Sequence, residues 1–252
     1  MNFLLIIAIA VCGFACTNGR TLLKDKIIGG TLASRGQFPH QIYQRVDGFF
    51  YCGGSIIDKN TILTAAHCVD GTDRKSLNIV AGSNKLDQGG VWYSVSRYII
   101  HPNWNPDEAA NDLAVIKVTT PIQFSTFVQP VVLNYNFVPG GPECTLSGWG
   151  LTKYPGTTPP NDLLYFRGNV VDLNQCKGLL PSAYPITDKN ICAMARTGIG
   201  ACSGDSGGPL VSNNKQIGIT SWVIPCGLGV PDVYTRVSYF ASWIQAQQAK
   251  IN

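Results

Sequence analysis

Charge is scarce in this chain: Asp, Glu, Lys and Arg make up only 13% of its 252 residues, and only three residues are histidine. The formal net charge is +4, but Arg20, Lys24 and Lys26, against the single acid Asp25, precede Ile27 and leave +2 beyond it. So small an excess, with no basic cluster interleaved with aromatics, excludes the electrostatic footprint of a nucleic-acid-binding protein. Charge blocks, low-complexity runs and repeats with periods of about 20–50 residues are also missing, which excludes repeat architectures. The apolar run FLLIIAIAV at residues 3–11 is much shorter than the roughly 20 residues of a membrane-spanning helix. With small residues at Gly13 and Ala15 and the polar stretch TNGR close behind, it reads as a secretory signal over residues 1–15. An exported chain with no membrane segment is expected, and disulfides persist in that compartment.

Turn formers, by contrast, are plentiful, with 27 Gly and 15 Pro. They punctuate short β-like pieces: Ser55–Ile57, Ser76–Ala81, Val91–Ser96, Leu113–Val118, Gln216–Trp222 and Val233–Val237. Between these lie turn sequences such as Asp87-Gln-Gly-Gly90, Pro139-Gly-Gly-Pro142, Tyr154-Pro-Gly156 and Ser212-Asn-Asn-Lys215. Such spacing predicts an all-β sandwich or barrel. A helix is expected at the C-terminus, capped by Ser238, with Tyr239, Phe240, Trp243 and Ile244 on one face. Nine cysteines are present. Cys12 falls inside the signal, and the plausible local pairs are Cys52 with Cys68, Cys176 with Cys192 and Cys202 with Cys226, a connectivity that spacing alone leaves open. Cys16 and Cys144 are left over, and a bridge between them would tether the 16–26 segment.

The stretch ACSGDSGGPL at 201–210 is too poor in packing groups for an ordinary strand. Its Ser206 is a candidate nucleophile, but a serine hydroxyl needs a base to take its proton. Of the three histidines, His40 in FPHQ and His101 in HPNW lie in prolyl, turn-like contexts and read as surface residues. His67 in LTAAHC has small neighbours that leave room for the ring. A third group must hold the imidazole in one tautomer, and Asp112, at the mouth of the apolar run LAVIKV, is suited to it. The backbone N–H groups of Gly204 and Ser206, flanked by glycines, are suited to an oxyanion hole.

TAAHC, NDLAVI and GDSGGP, in that order, resemble the chymotrypsin family of serine peptidases, as do SGWG at 147–150, SW at 221–222 and PDVYTRV at 231–237. The likeness covers residues 27–252. It implies two six-stranded antiparallel barrels with the site in the cleft between them and a linker near residues 125–142. It implies Ser206 as nucleophile, His67 as general base and acid, Asp112 as orienting carboxylate, and Ser221, Trp222 and Val223 as the segment that pairs with substrate backbone. KIIGG at 26–30 resembles the family's activation site. Cleavage after Lys26 by a trypsin-like protease would free the Ile27 ammonium to pair with Asp205. Residues 16–26 would then be an activation peptide, and no further domain precedes that site, as in free-standing digestive or venom-type proteases.

Protein or peptide substrates, protein inhibitors and a monomeric state are what the likeness implies, with no cofactor. Two departures stand out. Ser212 occupies the position where many vertebrate relatives have the cysteine partner of Cys144, and Ser83 stands where trypsins have a calcium-binding acid, so no metal is expected. In the primary pocket, Gly200 takes the basal position, Val223 narrows the wall as in elastases, and Asp232 is a third lining residue whose carboxylate offers the alternative of a broad-specificity protease that also accepts basic residues, as in some invertebrate relatives. Cleavage after small or medium apolar residues is expected, with basic residues minor. The competing reading is a non-catalytic homologue that binds a protein partner, but such proteins usually lose a triad residue and all three are present.

Overall fold

The computed structural model describes residues 29–182, 185–224 and 226–250. The described residues begin with a two-residue strand, β1 (Thr31–Leu32), followed by six strands that make the first barrel. These are β2 (Gln41–Val46), β3 (Phe49–Asp58), β4 (Thr61–Thr64), β5 (Leu77–Ala81), β6 (Val91–Ile100) and β7 (Ala114–Val118), closed in the order β2-β3-β4-β7-β6-β5. The connection carries β8 (Val132–Leu133). A second set follows: β9 (Glu143–Gly148), β10 (Leu164–Val171), β11 (Asn190–Met194), β12 (Pro209–Ser212), β13 (Lys215–Trp222) and β14 (Asp232–Arg236). Running β10-β11-β14-β13-β12-β9, with β9 returning antiparallel to β10, these six close the second barrel. Closure leaves few strand edges exposed.

Alternation along the strands decides what each face packs against. In β5, Leu77, Ile79 and Ala81 enter the first barrel's core, while Val80 points outward to join Tyr43, Trp149 and Leu163 in a cluster between the barrels. Trp149 is fully buried there, its ring 5.1 Å edge-on to Tyr43 and 6.3 Å from Phe50. Removing side chains of this size from water is worth about 2–3 kcal/mol each, which makes the seam a main source of cohesion. The chain ends cross over it. β1 pairs with β10 of the second barrel, whereas Phe240 and, in the C-terminal helix α2 (Ala241–Ala249) that follows it, Ile244 belong to the first barrel's core. Gln41, at the start of β2, accepts a 2.7 Å hydrogen bond from Ser147 Oγ on β9.

Several local expectations are corrected. Ser238 does not cap the C-terminal helix, which starts behind Phe240 without any side-chain cap, and Tyr239 is exposed rather than on the packed face. A second helix, α1 (Leu173–Leu179), was not expected. Asp172 caps it, its Oδ1 accepting the Asn174 and Gln175 N–H groups at 2.9 and 3.3 Å. His40 is buried at 9% exposure, and the half-buried His101 packs its ring 5.1 Å from Phe240 and 5.2 Å from Trp243, so neither is a surface residue. The expected hairpin turn between β12 and β13 forms through Asn213 and Asn214, both with positive φ, the conformation a tight primed turn demands. Disulfides join Cys52–Cys68, Cys176–Cys192 and Cys202–Cys226, and Cys144 remains a buried free thiol whose pKa burial pushes up to about 12. Its suggested bridge to Cys16 involves a residue outside the described range.

Candidate active site

His67 sits on a single 3₁₀ turn, Ala66–Cys68, directly after β4. Ala65 and Ala66 are fully buried, and the Cys52–Cys68 bridge ties the turn to β3, so the backbone beneath the imidazole is held on both sides. Asp112 comes from the opposite direction, on the residue pair that leads into β7. Asn111 before it takes φ 57° and donates its Nδ2–H to Asn103 O at 2.6 Å, which aims the aspartate inward. The Asp112 carboxylate is only 1% exposed and accepts three hydrogen bonds: His67 Nδ1–H at 2.8 Å, His67 backbone N–H at 3.0 Å and Ser221 Oγ–H at 2.6 Å. Thr235 Oγ–H adds 2.6 Å to the Asp112 carbonyl. A carboxylate beside Nδ1 keeps the proton there and leaves Nε2 as the acceptor. Burial pulls the His67 pKa down, but the hydrogen bond and charge of Asp112 outweigh it, so the pKa ends above the ordinary 6.5.

Ser206 lies on a turn that the rest of the cleft grips by its backbone. Ser206 O accepts the Gly53 N–H at 2.8 Å, Gly207 N–H donates to Thr220 O at 2.8 Å, and Gly208 N–H donates to Asp205 O at 3.0 Å. Gly207 has φ 77°, and a Cβ there would lie 2.2 Å from Thr64 Oγ1 and 3.2 Å from Ala65 N. The turn thus rests on the end of β4, three residues before His67. Thr220 precedes the Ser221 that holds Asp112, so the three candidate residues are drawn together from both barrels. Beside them Gly204, at φ 102°, leaves a Cβ-sized gap 3.1 Å from the Phe50 ring. Among the described residues, neither the Gly204 nor the Ser206 N–H has a hydrogen-bond acceptor.

Asp205 turns the other way, into the protein. It is 0% exposed, and its oxygens accept the Gly150 N–H at 2.8 Å and the Cys202 N–H at 3.0 Å. Glycines at 148 and 150 make the room, since a Cβ on either would lie about 2 Å from a carboxylate oxygen. Burial raises the Asp205 pKa to about 6. Lys26 and Ile27 lie outside the described residues.

Of the residues expected in the primary pocket, Gly200 and Asp232 are neighbours. Asp232 is 4% exposed, and its Oδ2 accepts the Ala201 N–H at 2.8 Å and would lie 3.3 Å from a Cβ on Gly200. Val223 is half-buried against Leu151 and the Cys202–Cys226 bridge, next to the half-buried Trp222 at the end of β13. Sequence reasoning assigned Ser221 only to backbone pairing. Its hydroxyl bond to Asp112 carries no sequence signal beyond its strand position. For metal ligation, Cys52, Cys68 and His67 offer donor atoms within 4.8 Å of one another, but both sulfurs are already spent in the disulfide.

Two closed barrels meeting around a serine-bearing turn and a clamped carboxylate–imidazole pair define a serine endopeptidase. The chain belongs to the trypsin family: the trypsin domain profile matches residues 27–244. Among its relatives, chymotrypsin-2 of Vespa crabro is 40% identical over 223 residues, 88% of this chain and all of that protein. Trypsin delta of Drosophila melanogaster is 35% identical over 252 residues, 97% of this chain and 98% of that protein. Among solved structures, mouse neuropsin, a serine protease of the limbic system, superposes with a TM-score of 0.80 at 31% identity, covering 87% of this chain and 98% of that one. Protein substrates follow from family membership. Among the described residues, no helix is long and apolar enough to cross a membrane.

Proposed function

We propose that the chain is a secreted zymogen whose activated form cleaves peptide bonds after small or medium apolar residues through Ser206, His67 and Asp112. The threefold-bonded Asp112 carboxylate, which fixes the His67 tautomer beside the serine turn, is the observation that carries this reading. Ser206 Oγ attacks the substrate carbonyl while His67 Nε2 takes its proton. The resulting oxyanion lies against the Gly204 and Ser206 N–H groups. The imidazolium then protonates the leaving amine, and water repeats the sequence on the acyl-enzyme. Trp222 and Val223 offer backbone to the substrate as an added strand.

The packing of Gly29 supports activation at this point: its Cα places a Cβ position 2.4 Å from Gly198 O, in the loop that leads to Gly200 and Asp205. Ile27 is two residues upstream, and two residues reach about 7 Å at most, so a terminus freed at Ile27 stays in that neighbourhood. Asp205 is then the counterion that a buried ammonium requires, and its backbone neighbours Gly204 and Ser206 couple that pairing to the oxyanion donors. The activating enzyme is itself trypsin-like, since it cuts after Lys26, and the same cleft would accept protein inhibitors. The apolar signal at residues 3–11 and three disulfides support export.

One relative is named a chymotrypsin and another a trypsin, so the pocket itself has to decide specificity. A long Arg or Lys must pass Val223 to reach Asp232, and one methylene-sized obstruction costs about 1–3 kcal/mol. The test is to cleave the chain after Lys26, label it with a fluorophosphonate and compare kcat/KM on peptide anilides ending in Ala, Leu, Phe and Arg. Labelling at Ser206 and preference for Ala or Leu are expected at neutral pH. Val223→Gly should widen acceptance towards Phe and Arg. A tenfold or greater preference for Arg in the unsubstituted enzyme would mean that Asp232, and not Val223, governs the pocket.

A further inference from the structure

Gly204 and Ser206 offer the two oxyanion donors, yet they are held in different ways. Ser206 is fastened to the first barrel, its carbonyl accepting the Gly53 N–H at 2.8 Å. Among the described residues, Gly204 makes no hydrogen bond through either backbone group. Its N–H shares a peptide plane with Ser203 O, which accepts the Leu151 N–H at 2.9 Å. That single bond is an axis about which the plane can tilt, and a glycine lacks the side chain that would restrict φ. Contact has to supply the rest. A Cβ position on Gly204 lies 3.1 Å from the Phe50 ring, 3.3 Å from Gly150 Cα and 3.4 Å from Trp149 O. The residue is therefore pressed between β3 of the first barrel and the Trp149–Gly150 stretch that follows β9. The Phe50 ring is itself braced, with the Tyr43 and Trp149 rings each 6.3 Å away and edge-on. Two residues further along β3, the Cys52–Cys68 bridge ties the strand to the His67 turn.

We infer that Phe50 is a positioning residue for the oxyanion hole: its ring wedges Gly204 from the first barrel and keeps that N–H aimed at the reacting carbonyl. This rests on the peptidase reading above, and it adds a residue that acts through Gly204 rather than on the reacting atoms. An oxyanion donor contributes most once the carbonyl oxygen has taken up charge, so a tilted Gly204 weakens the transition state and leaves substrate binding nearly as it was. The signature of such a loss is a fall in kcat, and in kcat/KM by the same factor, with KM retained. Loss of seam packing alone would lower stability without that signature.

The experiment compares Phe50→Ala and Phe50→Leu with the unsubstituted enzyme, all cleaved after Lys26. It measures kcat and KM on the Leu anilide, inhibition by a peptide aldehyde ending in Leu, and the urea midpoint. Addition of Ser206 Oγ to the aldehyde carbon moves the carbonyl electrons onto oxygen, so the inhibitor reports the same oxyanion without a leaving group. Phe50→Ala should lower kcat by about tenfold to a hundredfold, short of the roughly hundred- to thousandfold cost of deleting an oxyanion donor outright. KM should stay within about twofold, and aldehyde inhibition should weaken by the same factor as kcat. Phe50→Leu keeps much of the apolar bulk and should restore kcat to within about threefold of the unsubstituted enzyme. A raised KM at unchanged kcat would make Phe50 a substrate contact, and a lowered urea midpoint at unchanged kcat would make it seam packing only. Either result overturns the inference and spares the peptidase reading. Should Phe50→Ala fail to fold, Phe50→Leu decides, and a kcat and aldehyde affinity both equal to those of the unsubstituted enzyme overturn it. An unsubstituted enzyme that neither cleaves the anilides nor takes up the fluorophosphonate overturns the peptidase reading and this inference together.

Discussion

Ser206→Ala and His67→Ala are each expected to lower kcat by about six orders of magnitude, because a nucleophile and its base act as a unit and removing either removes the covalent route. Both variants should unfold at wild-type denaturant concentration. Ser206 is half-buried and its side chain makes no hydrogen bond that holds the turn, which is gripped through backbone groups at 206, 207 and 208. Titrating the unsubstituted enzyme provides a second readout of the same assignment. His67 must be neutral to accept the serine proton, and the Asp112 hydrogen bond and charge raise its pKa above 6.5. On a neutral substrate, kcat/KM should therefore fall as pH drops through a midpoint above 6.5. A flat profile between about pH 5 and 8, or a His67→Ala variant retaining more than about a tenth of the wild-type rate, would contradict the role of His67.

Periodicity leads only as far as an all-β sandwich or barrel, and it is the likeness of TAAHC, NDLAVI and GDSGGP to a known family that supplies two barrels and a cleft. These motifs are legible because close approach fixes their residue types: glycine where a Cβ would meet Thr64 Oγ1 at 2.2 Å, and alanines where the imidazole turn is buried. What stays hidden is set by tertiary packing. The short helix at 173–179 has an Asp172 cap but no apolar stripe long enough to announce it. Ser221 reads as a strand residue, and only the approach of β13 to the residue before β7 gives its hydroxyl the Asp112 carboxylate. His40 reads as a turn residue because of Pro39, yet the seam between the barrels covers it.

Burial of His40 should make the fold acid-sensitive. The ring lies edge-on to Phe38 at 6.3 Å, its Nε2 has no hydrogen-bond partner, and burial lowers its pKa to about 4 from 6.5. The next residue, Gln41, bonds across the seam to Ser147, so a proton on His40 would put an unpaired charge where the barrels join. Above pH 6.5 the ring is neutral in both folded and unfolded chains, so its burial adds no pH dependence there. Below 6.5 the unfolded chain takes up a proton that the folded one refuses, and stability is lost until pH falls to about 4. At about 1.4 kcal/mol per pKa unit, the loss at pH 4.5 is about 2.5 kcal/mol. His101, lowered by burial and by Lys189, acts in the same direction. Asp205 and Asp232, raised by burial to about 6 and about 7, act in the opposite direction and stabilise the fold as pH drops through those values; His67, raised overall, also favours the acid side. The whole-protein profile therefore mixes opposing slopes, and His40 has to be isolated by difference. In a Ser206→Ala background, which prevents self-digestion, urea unfolding of His40→Leu and its parent should be compared at pH 7.5 and 4.5. The apolar replacement gains about 2.5 kcal/mol relative to its parent on going to the lower pH. An unchanged difference between the two pH values would show that His40 takes up its proton without opening the seam.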